Sequence, residues 1–343
     1  MKNRIDLSKY QVRTDLIIEN IDKDLNKDNI NTKVINDDLK VTTINVDDKL
    51  MGKLNKKVGT YITIEFEDIT NHEDRVMVEE LFVEQVRLLI DKLGISDDDT
   101  CLVLGLGNKN STADSLGPLV VDKILVTRHL FELGTNVKKG IRSVAAISPG
   151  VMATTGIETY DVIISIIDKI KPKFLIVIDS LASSSIDRIN KTIQLTDTGI
   201  HPGSGVGNNR REISLDTIGI PVIAIGVPTV VESTIIVNDT INYLFKHLSY
   251  IKNNYQMNKL IFTHNKDYLD NVSDDLSLDE KKEISGMLGE LSEEDKRNLI
   301  NEVLTSLDYN MIVTPKEIDF LIDNLGKVLA KGIDKSLHKA IEN

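Results

Sequence analysis

The sequence predicts an α/β fold: a mainly parallel sheet flanked by helices, with strands added at the N-terminal side and a helical C-terminal region. Two observations carry this. From Cys101 onward, short and fully apolar runs such as CLVLGLG (101–107), SVAAI (143–147), FLIVI (174–178) and PVIAIGV (221–227) alternate with helical patterns. Strands that are apolar at every position suit a sheet covered on both faces. Upstream, Lys40–Val46 and Tyr61–Phe66 instead alternate β-branched and polar residues, as half-exposed strands do.

The helices follow from their start and stop signals. Thr70 and Glu73 match a capping box, and Gly94 suits the position just past the end, so a helix is predicted over 70–94. Further helices are predicted from Pro118 to Leu133, from Thr155 (boxed with Glu158), and after the last apolar strand, capped by Thr229 and Glu232. Lys266–Asp279 reads as an exposed connection. Beyond it, Ser292–Leu307 and Thr314–Ala330 read as amphipathic helices. The expected organisation is a leader over residues 1–15 and one α/β domain over 16–343, whose helical part covers about 280–343.

Composition narrows the function classes. Apolar residues make up 41% of the 343, enough for a sizeable core. No apolar run reaches the roughly 20 residues of a membrane span, and the N-terminus lacks a signal core. The single cysteine, Cys101, excludes an internal disulfide framework and suits an intracellular, cytoplasmic protein. Its place at the head of an apolar strand reads as a buried, inert thiol. A formal net charge of −12 argues against direct binding to nucleic acid. The first 15 residues nevertheless carry Lys2, Arg4, Lys9 and Arg13 against Asp6 and Asp15, a basic leader suited to an acidic body.

In open α/β sheets, ligands bind outside the carboxyl ends of the strands. Asp114 lies in the loop after the first apolar strand and Asp179 follows FLIVI at once, so both fall on one rim. Two carboxylates placed together repel, and one pKa rises, which separates an acid from a base. The same residues also read as helix N-caps. Gly105 and Gly107 suit either a close approach of backbone or a tight turn. The run 197–208 can cradle an anion through its amides or simply fold back on itself. Asp197, His201 and Ser204 lie too close in sequence for a hydrolytic triad. Asp197-Thr198-Gly199 spells the short signature of pepsin-like proteases, but on α/β rather than β flanks. Asp114 and Asp179 with His201 or His129 are a conceivable metal set, though no closely spaced ligand pair supports it. His129 falls inside a helical pattern, where a surface or packed role is expected.

The chain resembles the germination protease family of endospore-forming bacteria. The resemblance rests on YQVRTDL (10–16), GLGN (105–108) with ADSLGP (113–118), VTRHLFEL (126–133) and SPGVMATTGIET (148–159). It continues through DRINKTIQLTDTGIHPGSGVGN (187–208), GIPVIAIGVPTVVE (219–232) and VTPKEID (313–319). It implies an atypical aspartic endopeptidase with catalytic Asp114 and Asp179, a fold similar to hydrogenase-maturation peptidases, and no cofactor or metal. It also implies a zymogen that removes its leader at Asp15-Leu16. The substrates implied are small acid-soluble spore proteins, cut after acidic residues in the forespore or spore core, and the precursor is implied to be a homotetramer. Gly105, Gly107, Asn108 and His201 are expected to support the aspartates. Three departures stand out: Ser180 where alanine is usual, Glu232 where aspartate is usual, and a shortened loop after Leu133. A metallopeptidase and a catalytically silent binding protein are the alternative readings.

Overall fold

The computed structural model describes residues 14–20, 29–203, 210–254, 276–307, 309 and 311–341. The basic residues and apolar side chains of the leader up to Arg13 fall outside these, as do Ser204–Asn208 and most of the 266–279 connection. Nine strands form one sheet: β1 (Ile30–Asn36), β2 (Leu39–Val46), β3 (Gly59–Phe66), β4 (Cys101–Gly105), β5 (Val144–Ile147), β6 (Phe174–Ser183), β7 (Thr192–Thr196), β8 (Val222–Glu232) and β9 (Ile312–Val313). The order is β1-β2-β3-β7-β8-β6-β4-β5, with β9 on β8.

The α/β fold and its added N-terminal strands are as expected, but the sheet is mixed. β4 pairs in parallel with β5 and with β6. β1, β2, β3, β7 and β8 follow one another as antiparallel neighbours. A short connection accounts for the first pair: β1 to β2 is a hairpin, and hairpins join only antiparallel strands. β7 inserts between β3 and β8, so the N-terminal strands extend the sheet instead of forming an appendage.

Side-chain alternation sorts the core onto two faces. Cys101 and Val103 of β4 and Phe174 and Ile176 of β6 pack with Phe82 and Leu89 of α2 (His72–Lys92), and with Leu325, Leu329 and Ile333 of the last helix. Leu102, Leu104, Leu175 and Val177 pack on the other side with Ile163 and Ile167 of the helix Thr159–Ile170. Helices are accordingly α1 (Asp48–Leu54), α2, α3 (Leu116–Val121), α4 (Thr159–Ile170), α5 (Ser233–Asn254), α6 (Glu293–Ser306) and α7 (Ile318–Leu337). Strands buried on both faces are what continuous apolar runs demand. The chain divides into two compact units. The larger holds the sheet up to Val230 together with α1–α4 and α7. The smaller is built around Val231–Val313, in which β9 pairs with the end of β8.

Several element ends differ from expectation, each because tertiary contacts outweigh local signals. The cap of α2 is Asn71, whose side chain accepts from the Glu73 amide, while Thr70 bonds to Asp68. The helix expected over 118–133 is two pieces. After α3 the Leu125 amide goes to Asp334 and the Thr127 amide to Val144, drawing the chain away from helical pairing. His129 lies exposed on the second piece. Glu158 is at the N-cap of α4 without a side-chain bond, and Thr155 closes a short preceding turn. β6 and β8 each run five residues past their predicted ends, so Thr229 and Glu232 are strand residues and α5 begins at Ser233. β-branched residues from Thr229 to Val231 favour this continuation. Ser292 caps α6 as expected, accepting from the Asp295 amide. α7 begins at Ile318, later than Thr314, because the Thr314 hydroxyl donates to the Thr229 carbonyl. Cys101 is buried, and burial pushes its thiol pKa well above the ordinary range. No helix among the described residues is long and apolar enough to cross a membrane.

Phe82 is fully buried, and its ring fills the space left by Gly332 of α7. Phe82→Ala is expected to lower unfolding free energy by about 3–5 kcal/mol, measured as a shift of the urea midpoint with the slope unchanged.

Candidate active site

Asp114 and Asp179 meet because of how β4 leaves the sheet. β4 and β6 are in register with Gly105 opposite Ile178, and the Leu106 amide continues the ladder to the Ile178 carbonyl. The chain then turns at Gly107, whose φ of +110° is strained for any residue with a side chain. A Cβ there would lie 2.1 Å from the Asp114 carbonyl oxygen. The returning chain crosses so tightly that a Cβ on Gly105 would lie 2.2 Å from the Gly117 carbonyl oxygen. The Asn108 amide is bonded by both oxygens Asp114 presents to it, its carbonyl and its carboxylate Oδ2, each at 2.9 Å. From β8, the Thr229 hydroxyl donates to the Ala113 carbonyl at 2.6 Å, holding the aspartate's own turn in place. Asp114 is therefore held through the Asn108 amide and its own turn and is no N-cap: α3 begins after Ser115, without a side-chain cap.

Asp179 lies within β6 and is only 6% exposed. The Ser180 amide donates to its Oδ1 at 2.9 Å. Burial pushes the Asp179 carboxyl well above the ordinary carboxylate range, and the negative charges of Asp114 and Asp15 push it further. Burial also raises Asp114, opposed by the Asn108 amide and by the Arg210 guanidinium. Arg210 lowers Asp179 as well, so this cation is in electrostatic range of both acids. A buried and a half-buried carboxyl of unequal proton affinity are suited to divide the roles of acid and base.

The Asp15-Leu16 junction is docked on the same strand. The Asp15 amide donates to the Ala182 carbonyl, and the Ala182 amide donates back to Asp15 Oδ2 at 3.0 Å. Leu16 and Ile17 are fully buried, each worth about 1.5–3 kcal/mol relative to exposure. Lys56 Nζ and Gln194 Nε2 both donate to the Asp15 carbonyl oxygen, at 2.9 and 3.2 Å. Gln194 Oε1 accepts from the Ile17 amide at 2.7 Å. Glu19 anchors the far side: it accepts from the Thr14 and Ser183 hydroxyls and faces Arg188.

Of the other expected residues, Gly105, Gly107 and Asn108 shape the Asp114 turn. His201 is exposed and faces Glu212 at 3.6 Å. Asp197 is committed to structure, accepting from the Thr60 amide and pairing with Lys92 at 2.6 Å. Among the described residues, no three His, Cys, Asp or Glu side chains are clustered to hold a metal ion. The hydroxyl of Ser180 is buried and has no hydrogen-bond partner among the described residues; only its amide reaches Asp179. Lys56, Gln194, Arg210 and Ala182 were missed from sequence. Their partners are 31 to 179 positions away, and isolated Lys, Gln and Arg residues carry no spacing signal.

A sequence model of the germination protease family matches residues 9–343. The chain belongs to this family. It is 44% identical to the germination protease of Bacillus licheniformis over 99% of this chain and 97% of that one. It is 42% identical to that of Bacillus mycoides over 100% and 98%. The relative from Bacillus pumilus is 44% identical over 99% and 97%. A fold comparison returns the hydrogenase maturation protease HycI of Thermococcus kodakarensis, at 16% identity and a TM-score of 0.27, covering 41% of this chain and 80% of that one. Membership of the family makes the chain a peptidase of spore germination.

The raised pKa of Asp179 has a signed consequence for stability. A carboxyl that binds protons more tightly when folded stabilises the fold at low pH, and that stabilisation fades as pH rises from the unfolded value toward the folded one. Asp179→Asn is therefore expected to raise the melting temperature at pH 7, with the gain shrinking toward pH 4, about the unfolded carboxylate value. Thermal unfolding across that range reads the effect. Removing the orphaned hydroxyl by Ser180→Ala is expected to leave stability unchanged or raise it by up to about 1 kcal/mol, read by urea unfolding.

Proposed function

We propose that this chain is an aspartate-dependent endopeptidase, made as a zymogen that cuts itself between Asp15 and Leu16. Its substrates are small acid-soluble spore proteins, cut after acidic residues in the forespore or spore core. It works without a cofactor and as a homotetramer. The observation that carries the reading is the buried carboxyl of Asp179 with the half-buried carboxylate of Asp114 close enough to repel it, and the Asp15-Leu16 peptide docked on the strand that bears Asp179. The formal charge of −12 fits a protein that acts on spore proteins rather than on nucleic acid directly.

The pKa ordering assigns the roles. Asp179 holds a proton and is the acid; Asp114, less strongly raised and accepting from the Asn108 amide, is the base. Asp114 takes a proton from a water whose oxygen bonds to the carbonyl carbon on the N-terminal side of the scissile bond. The C–N bond then breaks, and the departing nitrogen receives the proton of Asp179. The products are a new carboxyl and a new amine. Residue 15 supplies the acidic side chain in self-cleavage, and a substrate Glu or Asp supplies it in trans.

Asp114→Asn and Asp179→Asn are each expected to slow conversion of the full chain to one beginning at Leu16 by at least about 1,000-fold, since general acid–base catalysis contributes 10²–10⁴. Intact-mass analysis of the N-terminus follows the conversion. Normal processing by Asp179→Asn would remove the two-aspartate mechanism. Loss of processing in excess EDTA would favour a metallopeptidase instead, and failure to cut an acid-soluble spore protein would favour a binding role.

A further inference from the structure

The aspartates account for the proton transfers but leave the carbonyl oxygen unattended. Negative charge collects on that oxygen as water adds, and hydrolytic sites place donors there. Two donors already converge on the carbonyl oxygen of Asp15: Lys56 Nζ at 2.9 Å and Gln194 Nε2 at 3.2 Å. They arrive from separate elements. Lys56 follows α1 in the connection to β3, whereas Gln194 lies in β7, where it pairs with Gly226 of β8. Ala182, which holds Asp15 by both its amide and its carbonyl, lies on β6.

Gln194 does more than donate. Its amide group spans the Asp15-Leu16 bond, giving Nε2–H to the carbonyl before it and taking the Ile17 amide after it. A carboxylate could not make both contacts, and a hydroxyl is too short to span them. Lys56 is held in surroundings that work against its charge. Burial lowers its pKa, while Asp15 and Glu19 raise it. A half-buried ammonium that donates a hydrogen bond to a peptide carbonyl is costly as mere packing.

We infer that Lys56 and Gln194 are catalytic residues that bind and polarise the carbonyl oxygen of the residue preceding the scissile bond. The inference rests on the proposed cleavage at Asp15-Leu16. As the water oxygen bonds to the carbonyl carbon, the C=O electron pair moves onto oxygen, where the ammonium and the carboxamide hold it. When the pair returns, the C–N bond breaks and the Leu16 nitrogen leaves with the proton from Asp179. The same two donors receive the equivalent carbonyl of a substrate.

The test follows first-order self-cleavage of the full chain by intact mass, with hydrogen exchange at the Leu16 and Ile17 amides to report docking. Lys56→Met is expected to slow cleavage by about 100-fold or more, the usual effect of removing one such donor, with the Ile17 amide still protected. Gln194→Leu should slow it similarly and gives the same reading if Lys56→Met fails to fold. Lys56→Arg, which keeps a cation, should recover most of the rate. Unchanged or faster cleavage in Lys56→Met and Gln194→Leu would overturn the inference. So would loss of cleavage together with loss of Ile17 protection in Lys56→Met, because Lys56 would then only dock the segment. Asp179→Asn run alongside separates the two ideas: normal cleavage there removes the aspartate mechanism yet leaves the Lys56 comparison intact. A wild-type chain that never yields Leu16 at its N-terminus would remove both.

Discussion

A backbone crossing governs the arrangement of this molecule. Where β4 ends, the chain passes Gly105, turns at Gly107 and returns under itself at Gly117, with no room for a methyl group at the contact. Backbone cannot yield as a flexible side chain does, so the crossing sets the position of the Asp114 turn relative to β4. The parallel register of β4 on β6 then sets β4 relative to Asp179. The Thr229 hydroxyl and the Asn108 amide finish a placement that the glycines make possible. The carboxyl is held by strand geometry, which defines position better than a free loop.

That placement creates an electrostatic problem that the surrounding residues address. Asp114, Asp179, Asp15 and Glu19 bring four acids to one region of an already acidic chain. Among the described residues, Lys56, Arg188 and Arg210 are cations that face them. Asp15 takes part directly, since its charge is one of the causes that raise Asp179. The Asp15-Leu16 segment is thus coupled to the acid pair through charge, through the two hydrogen bonds with Ala182 and through the burial of Leu16 and Ile17.

The elements that departed from expectation share one cause. Local caps and glycines mark ends only when no stronger partner is nearby. Thr229 looked like a helix cap but bonds to the Ala113 carbonyl, and β8 runs on past it. The pattern over 118–133 looked like one helix, but Thr127 is drawn into pairing with Val144 and Arg142. Asp197 carried the most recognisable three-residue signature, and its carboxylate is occupied in joining β3 and α2.

By itself the sequence determined the class of the fold and the apolar strands with their order along the chain. Those properties follow from periodicity and burial, which are local to each segment. Its long ordered matches also determined the family. Only the tertiary structure decided that the sheet is mixed, that β6 and β8 continue past their apolar cores, and that Lys56, Gln194 and Arg210 belong with the acids. A lysine after α1, a glutamine in β7 and the segment around Asp15 are joined by contacts spanning 41 to 179 positions. No short-range pattern encodes such contacts, because they exist only once the strands have paired.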